Sequence, residues 1–250
     1  MPVASVRAAA AAVAFLTRVP FGRAIALDGD DVGRSIVAFP LVGAGIGALT
    51  GGVALLLHPW LPSFLAAGIA LAVAVLLTGA MHVDALADTL DAAGTATRER
   101  ALEIMRDPRV GTFGACAIAF DVLIKTGAIA VLLDRGGALV SLVAAGAVSR
   151  AASAPLAALL PYPRSEGGPG SVLTGRVGLR AASVTVLLGA GIAVLAAGRH
   201  GAAILGAAVV VTFSLGLIYR RWLGGATGDC LGAATEISET VMLVAAAGLA

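Results

Sequence analysis

The chain has 250 residues, 59% of them hydrophobic and only 13% charged, with a mean hydropathy of +0.97. A soluble domain carries about 25% charged residues, so this composition excludes one. It describes instead an all-α polytopic transmembrane bundle, because the apolar runs are close to the length a spanning helix needs and do not alternate as barrel strands do. The formal net charge of +2 gives no reason to expect a nucleic-acid partner. Two cysteines, Cys116 in an apolar run and Cys230 in a polar turn, make no disulfide framework.

The stretch from Val6 to Phe15 is apolar but short, and Thr17-Arg18-Val19-Pro20 follows it without a good cleavage site. An interfacial or re-entrant helix is expected there rather than a signal peptide. Seven spans follow in a single integral membrane domain over 1–250, at about 35–57, 62–81, 112–133, 137–160, 181–197, 201–218 and 232–250. Pro59, Pro62, Pro161 and Pro163 mark helix ends, and Gly33 and Pro40 place a kink where the first span begins. The 33 glycines suit close helix packing in lipid.

Of the 17 basic residues, thirteen lie in one set of alternate loops: Arg7, Arg18, Arg23 and Arg34, then Arg98, Arg100, Arg106 and Arg109, then Arg164, Arg176 and Arg180, then Arg220 and Arg221. Only Arg135 and Arg199 lie in the opposite set. The positive-inside rule puts the N-terminus and the three long loops in the cytoplasm of a cell with this protein in its inner (plasma) membrane.

The most informative residues follow the second apolar run. Asp84, Asp88 and Asp91 have the spacing i, i+4, i+7, which places them within an arc of about 60° on one helix face. Like charges on one stripe repel, and no lysine interleaves them between His82 and Thr97. Such a stripe suits a hard divalent cation with oxygen ligands at a membrane surface. On a continuous helix His82 points away from Asp84, so it joins the site only if the helix breaks near Val83.

Four further groups bear chemistry. In the segment from Arg98 to Gly114, Glu99 and Glu103 pair locally with Arg100 or Arg106, Asp107-Pro108 ends the helix, and Arg106 and Arg109 can bind phosphates as charged forks. Asp121 and Lys125, at i, i+4 inside a span, must face the bundle interior, as an internal pair or as a substrate contact. Arg150, deep in an apolar run, needs a partner, and the glycine-rich turn after Arg164 can approach a phosphate through backbone N–H groups. Finally Gly224 to Gly232 precedes Glu236 and Glu239. Asp229 and Glu236, seven apart, either extend the metal site or serve the helix as a cap and first-turn acids.

These blocks, in this order, resemble the cobalamin synthase family, the adenosylcobinamide-GDP ribazoletransferases. The resemblance is carried by Phe15 to Pro20, Phe39-Pro40-Leu41-Val42-Gly43, His82 to Asp91, Glu103 to Asp107 with Gly114, Ser149-Arg150 with Pro161 to Gly170, and Thr227 to Ala233. The sequence departs from the family pattern at Ala85 and Ala92, where glycine is usual. The resemblance implies a Mg2+-dependent transfer from adenosylcobinamide-GDP to α-ribazole or its 5′-phosphate, releasing GMP and forming adenosylcobalamin or its 5′-phosphate. It implies the lipid bilayer and other cobalamin-assembly enzymes as partners. The expected site has Asp84, Asp88 and His82 as catalytic groups. Its metal ligands are Asp84, Asp88, Asp91, Asp229 and Glu236, and its substrate contacts are Arg18, Arg106, Arg109, Lys125, Arg150 and Arg164. Two rival readings are a CDP-alcohol-type membrane phosphotransferase and a transporter using Asp121, Lys125 and Arg150 as a relay.

Overall fold

The computed structural model describes residues 2–19, 33–167, 169–174 and 176–250; Pro20 and Arg23 lie outside them. Nine α-helices are present among the described residues: α1 (Pro2–Leu16), α2 (Phe39–Leu57), α3 (Ser63–Thr78), α4 (Met81–Ala93), α5 (Arg98–Ile104), α6 (Thr112–Arg135), α7 (Ala138–Leu159), α8 (Leu179–Trp222) and α9 (Gly228–Ala247). A 3-10 turn, Ile36–Ala38, sits between Gly33 and Pro40 where the kink is expected. Six helical segments are long and apolar enough to cross a membrane, and α3 with the bent-off α4 makes a seventh only if the pair is counted as one span. The fifth and sixth expected spans are the two parts of α8, Leu179–Gly198 and His200–Trp222, divided where Gly198 takes φ 49°. Only a residue without a Cβ adopts that conformation freely.

The central helix is α7. Its spanning window is 78% buried, against 28% and 22% for the two parts of α8, so α8 carries the lipid-facing surface and α7 the interior. The α2–α7 crossing is tight because backbone meets backbone: a Cβ on Gly43 would run into the Gly146 carbonyl, and one on Gly47 into that of Leu142. Small residues give such helices their close approach in lipid, where dispersion rather than hydrophobic burial holds them together. One apolar cluster, including Ile129, Leu132, Leu142 and Met242, fills the half of the bundle near the short loops. A second, including Leu16, Ile36, Phe39, Tyr219 and Leu231, fills the half near the long loops.

The second expected span ends sooner than its hydropathy suggests. At Thr78 the chain turns through 90° from α3 into α4, and Gly79 (φ 64°) and Ala80 (φ 59°) both lie in the left-handed region. For Ala80 this costs about 1–2 kcal/mol, a strain held in place by the packing around the bend. Arg18 supplies part of that packing. Its backbone N–H donates to the Leu77 carbonyl at 2.7 Å, and its side chain lies where a Cβ on Gly79 would be. Helix α4 is thus turned off the spans, across the end of the bundle where the long loops gather.

Candidate active site

The bend decides what the aspartate stripe can do. The break expected near Val83 lies instead before Met81, and the helix is unbroken from Met81 to Ala93; His82 is nevertheless buried at the site, while Asp84 stays exposed and Asp88 half-buried. A cavity of about 220 Å3 opens beside them, lined by Phe15, Phe39, His82, Asp84, Arg150 and Asp229 among others. The Phe15 and Phe39 rings stack at 5.7 Å and form its apolar wall. Helix α9 enters beside α4 because Gly232 leaves room for Ala85; a Cβ there would come within 2.5 Å of the alanine methyl. Ala85, one of the two departures from the family pattern, is therefore accommodated by a glycine on the facing helix.

Asp84, Asp88 and Asp229 come together across the α4–α9 contact. Burial first, then the neighbouring charges of Asp84, Asp229 and Asp91, push Asp88 up to about 7. No hydrogen bond or ion pair with a described residue engages the carboxylates of Asp84 or Asp88. The cap of α9 is Thr227, whose hydroxyl accepts the Cys230 N–H at 3.2 Å. Asp229 sits in the first turn with Arg164 Nη2 4.0 Å away. Cys230 is buried within that helix rather than standing in a polar turn.

Two expected ligands are occupied elsewhere. Asp91 accepts the Gly111 N–H on Oδ2 and the Gly114 N–H on Oδ1, both at 2.7 Å, so it closes the exposed N-terminus of α6. Glu236 is buried against Lys125, which also reaches Asp121 at 3.3 Å; Thr240 Oγ1 donates to Asp121. Lys125 is thereby committed to an internal cluster and does not line the cavity. Among the described residues no group of three or more His, Cys, Asp or Glu side chains is placed to hold a metal ion unaided. Mg2+ typically takes one or two carboxylates and completes its shell with water and substrate phosphate oxygens. Asp84, Asp88 and Asp229 offer hard oxygen donors of that kind.

The expected arginines divide. Arg150 is 4% exposed; its Nη1 donates to Glu239 Oε2 at 2.5 Å and to Ser149 Oγ at 2.9 Å. Its buried Nε has no partner, although Arg150 lines the cavity. Arg164 likewise has a buried Nε without a partner, while Nη2 donates to the Leu102 carbonyl at 3.2 Å. A buried donor without a protein partner is satisfied by water, an ion or a ligand. Arg106 pairs with Glu166 rather than with Glu99 or Glu103, and Arg100 takes Glu103 as expected. Arg109 folds back on Asp107 in an exposed turn, hydrogen-bonding it so that its carboxyl falls to about 2, and does not line the cavity. Arg18 braces the bend beside it. Glu239, the partner Arg150 required, and Phe39 are the residues the spacing argument missed. Arg150 itself was the signal for the first, since a buried guanidinium needs a carboxylate.

A cavity lined by carboxylates and a buried guanidinium, at one end of a polytopic helical bundle, suits a membrane-embedded enzyme with a charged substrate. The sequence matches the Cobalamin-5-phosphate synthase family over residues 8–247, and the chain belongs to that family. Proteins named adenosylcobinamide-GDP ribazoletransferase from Escherichia coli (strain K12) and Shigella flexneri are each 44% identical over 240 residues, covering 94% of this chain and 97% of theirs. No solved structure matches it.

Proposed function

We propose that the protein transfers the adenosylcobinamide phosphoryl group from adenosylcobinamide-GDP to α-ribazole or its 5′-phosphate, with GMP leaving, at the cytoplasmic face of the inner membrane. The observation that carries this reading is the cavity lined by Asp84, Asp229 and Arg150. Asp84, Asp88 and Asp229 would hold Mg2+, which when bound neutralises charge on the diphosphate and the departing GMP. Arg150, fixed by Glu239 and Ser149, and Arg164, fixed by the Leu102 carbonyl, donate to phosphate oxygens. The ribose hydroxyl of the acceptor attacks the phosphorus attached to cobinamide. One P–O bond forms, the P–O bond to GMP breaks, and the hydroxyl proton leaves. A carboxylate of the cluster that does not hold the metal, or His82, would receive it. The distribution of loop arginines supports the cytoplasmic orientation. Asp84→Asn and Asp229→Asn enzymes should need much more Mg2+ for half-maximal GMP release while remaining folded. Unchanged Mg2+ dependence in both would remove the metal assignment.

A further inference from the structure

A second cavity, of about 450 Å3, lies on the opposite face of α7 from the active site, between α7 and the two parts of α8. The small residues Ala151, Ala190, Ala208 and Gly216 leave the space, and Pro155 lies within this stretch of α7. Its rim residues Leu159, Val209 and Phe213 are each more than 65% exposed on the outside of the bundle, so the cleft opens sideways towards lipid. Its walls are apolar except for Thr212 and, at the end nearest the long loops, Arg220. Arg220 and its neighbour Arg221 are exposed, and no described residue supplies either with a hydrogen bond or an ion pair.

An apolar slot of this size, with the unneutralised guanidinium of Arg220 at its membrane-surface end and Arg221 next to it in the chain, has the chemistry of a bound lipid: tail in the slot, anion at its mouth. A second copy packed on the same face by two-fold symmetry would bring the arginines of both chains against each other. We propose that this cleft binds one anionic phospholipid, with an acyl chain in the cavity and the headgroup phosphate on Arg220 and Arg221. The site is separate from the catalytic cavity and does not depend on the proposed reaction.

Native mass spectrometry of the full chain, delipidated in detergent and given phosphatidylglycerol or phosphatidylcholine with identical tails, tests this. One phosphatidylglycerol should be retained, with a preference over phosphatidylcholine of about fivefold per arginine. Arg220→Gln with Arg221→Gln should abolish the preference. Ala190→Phe, which fills the slot, should reduce retention of both lipids; should that variant fail to fold, Val209→Trp at the exposed rim replaces it. Inorganic phosphate should not displace the lipid. Equal retention of the two lipids, an undiminished preference in the double variant, displacement by phosphate alone, or a lipid-free dimer covering this face would each overturn the proposal.

Discussion

Replacing Asp91 by Asn distinguishes a structural anchor from a metal ligand. Each Asp91 oxygen accepts one backbone N–H, from Gly111 and from Gly114. A hydrogen bond to a charged group contributes about 1.5–3 kcal/mol. Asparagine keeps one acceptor oxygen and turns the other into an NH2 that faces an N–H donor. The loss should therefore be about one such bond, near the lower end of the range because the residue is half-buried. Asp91→Ala, which loses both, should lose about twice as much. Unfolding in detergent by a denaturant titration measures the difference, and GMP release against Mg2+ concentration measures the metal requirement in the same preparations. The anchor account expects reduced stability, graded from Asn to Ala, and an unaltered Mg2+ requirement in the protein that remains folded. Wild-type stability combined with a raised Mg2+ requirement would refute it and return Asp91 to the metal site.

The buried cluster makes a second prediction. Lys125→Met leaves the carboxylates of Asp121 and Glu236 without their cation and should cost about 3–5 kcal/mol in the same unfolding titration. Adding Glu236→Gln should recover part of the loss, and an unaffected single variant would contradict the cluster. Asp88 makes the third. Its carboxyl sits near 7 in the folded protein against an ordinary 3.8, so the folded state binds that proton more tightly. The stability this contributes is fully present below about pH 4 and is lost as the pH rises through about 7. In EDTA the unfolding midpoint should fall between pH 5 and 8, and fall less in Asp88→Asn; identical pH profiles would refute the assignment.

The spans were legible because lipid demands about 20 consecutive apolar residues, and that demand is written locally. The same holds for pairs one helical turn apart, Asp121 with Lys125 and Arg100 with Glu103. What spacing could not give was contact across the bundle. Glu236 meets Lys125 over 111 residues and Glu239 meets Arg150 over 89, so the acids of α9 read equally well as metal ligands or as counter-ions. The bend before His82 depended on a left-handed Ala80, a conformation that alanine rarely adopts and that no pattern announces. The stripe Asp84, Asp88, Asp91 does share one helix face. It is divided in use because its last member lies beside the first turn of α6.

The most direct test is GMP release by the purified full-length protein in lipid, with adenosylcobinamide-GDP and α-ribazole supplied separately and together. The account predicts GMP only when both substrates are present with Mg2+, matched by an equal amount of adenosylcobalamin, and a severe loss in Asp84→Asn. GMP released without the ribazole, or corrinoid product formed equally well by the Asp84→Asn enzyme, would contradict it.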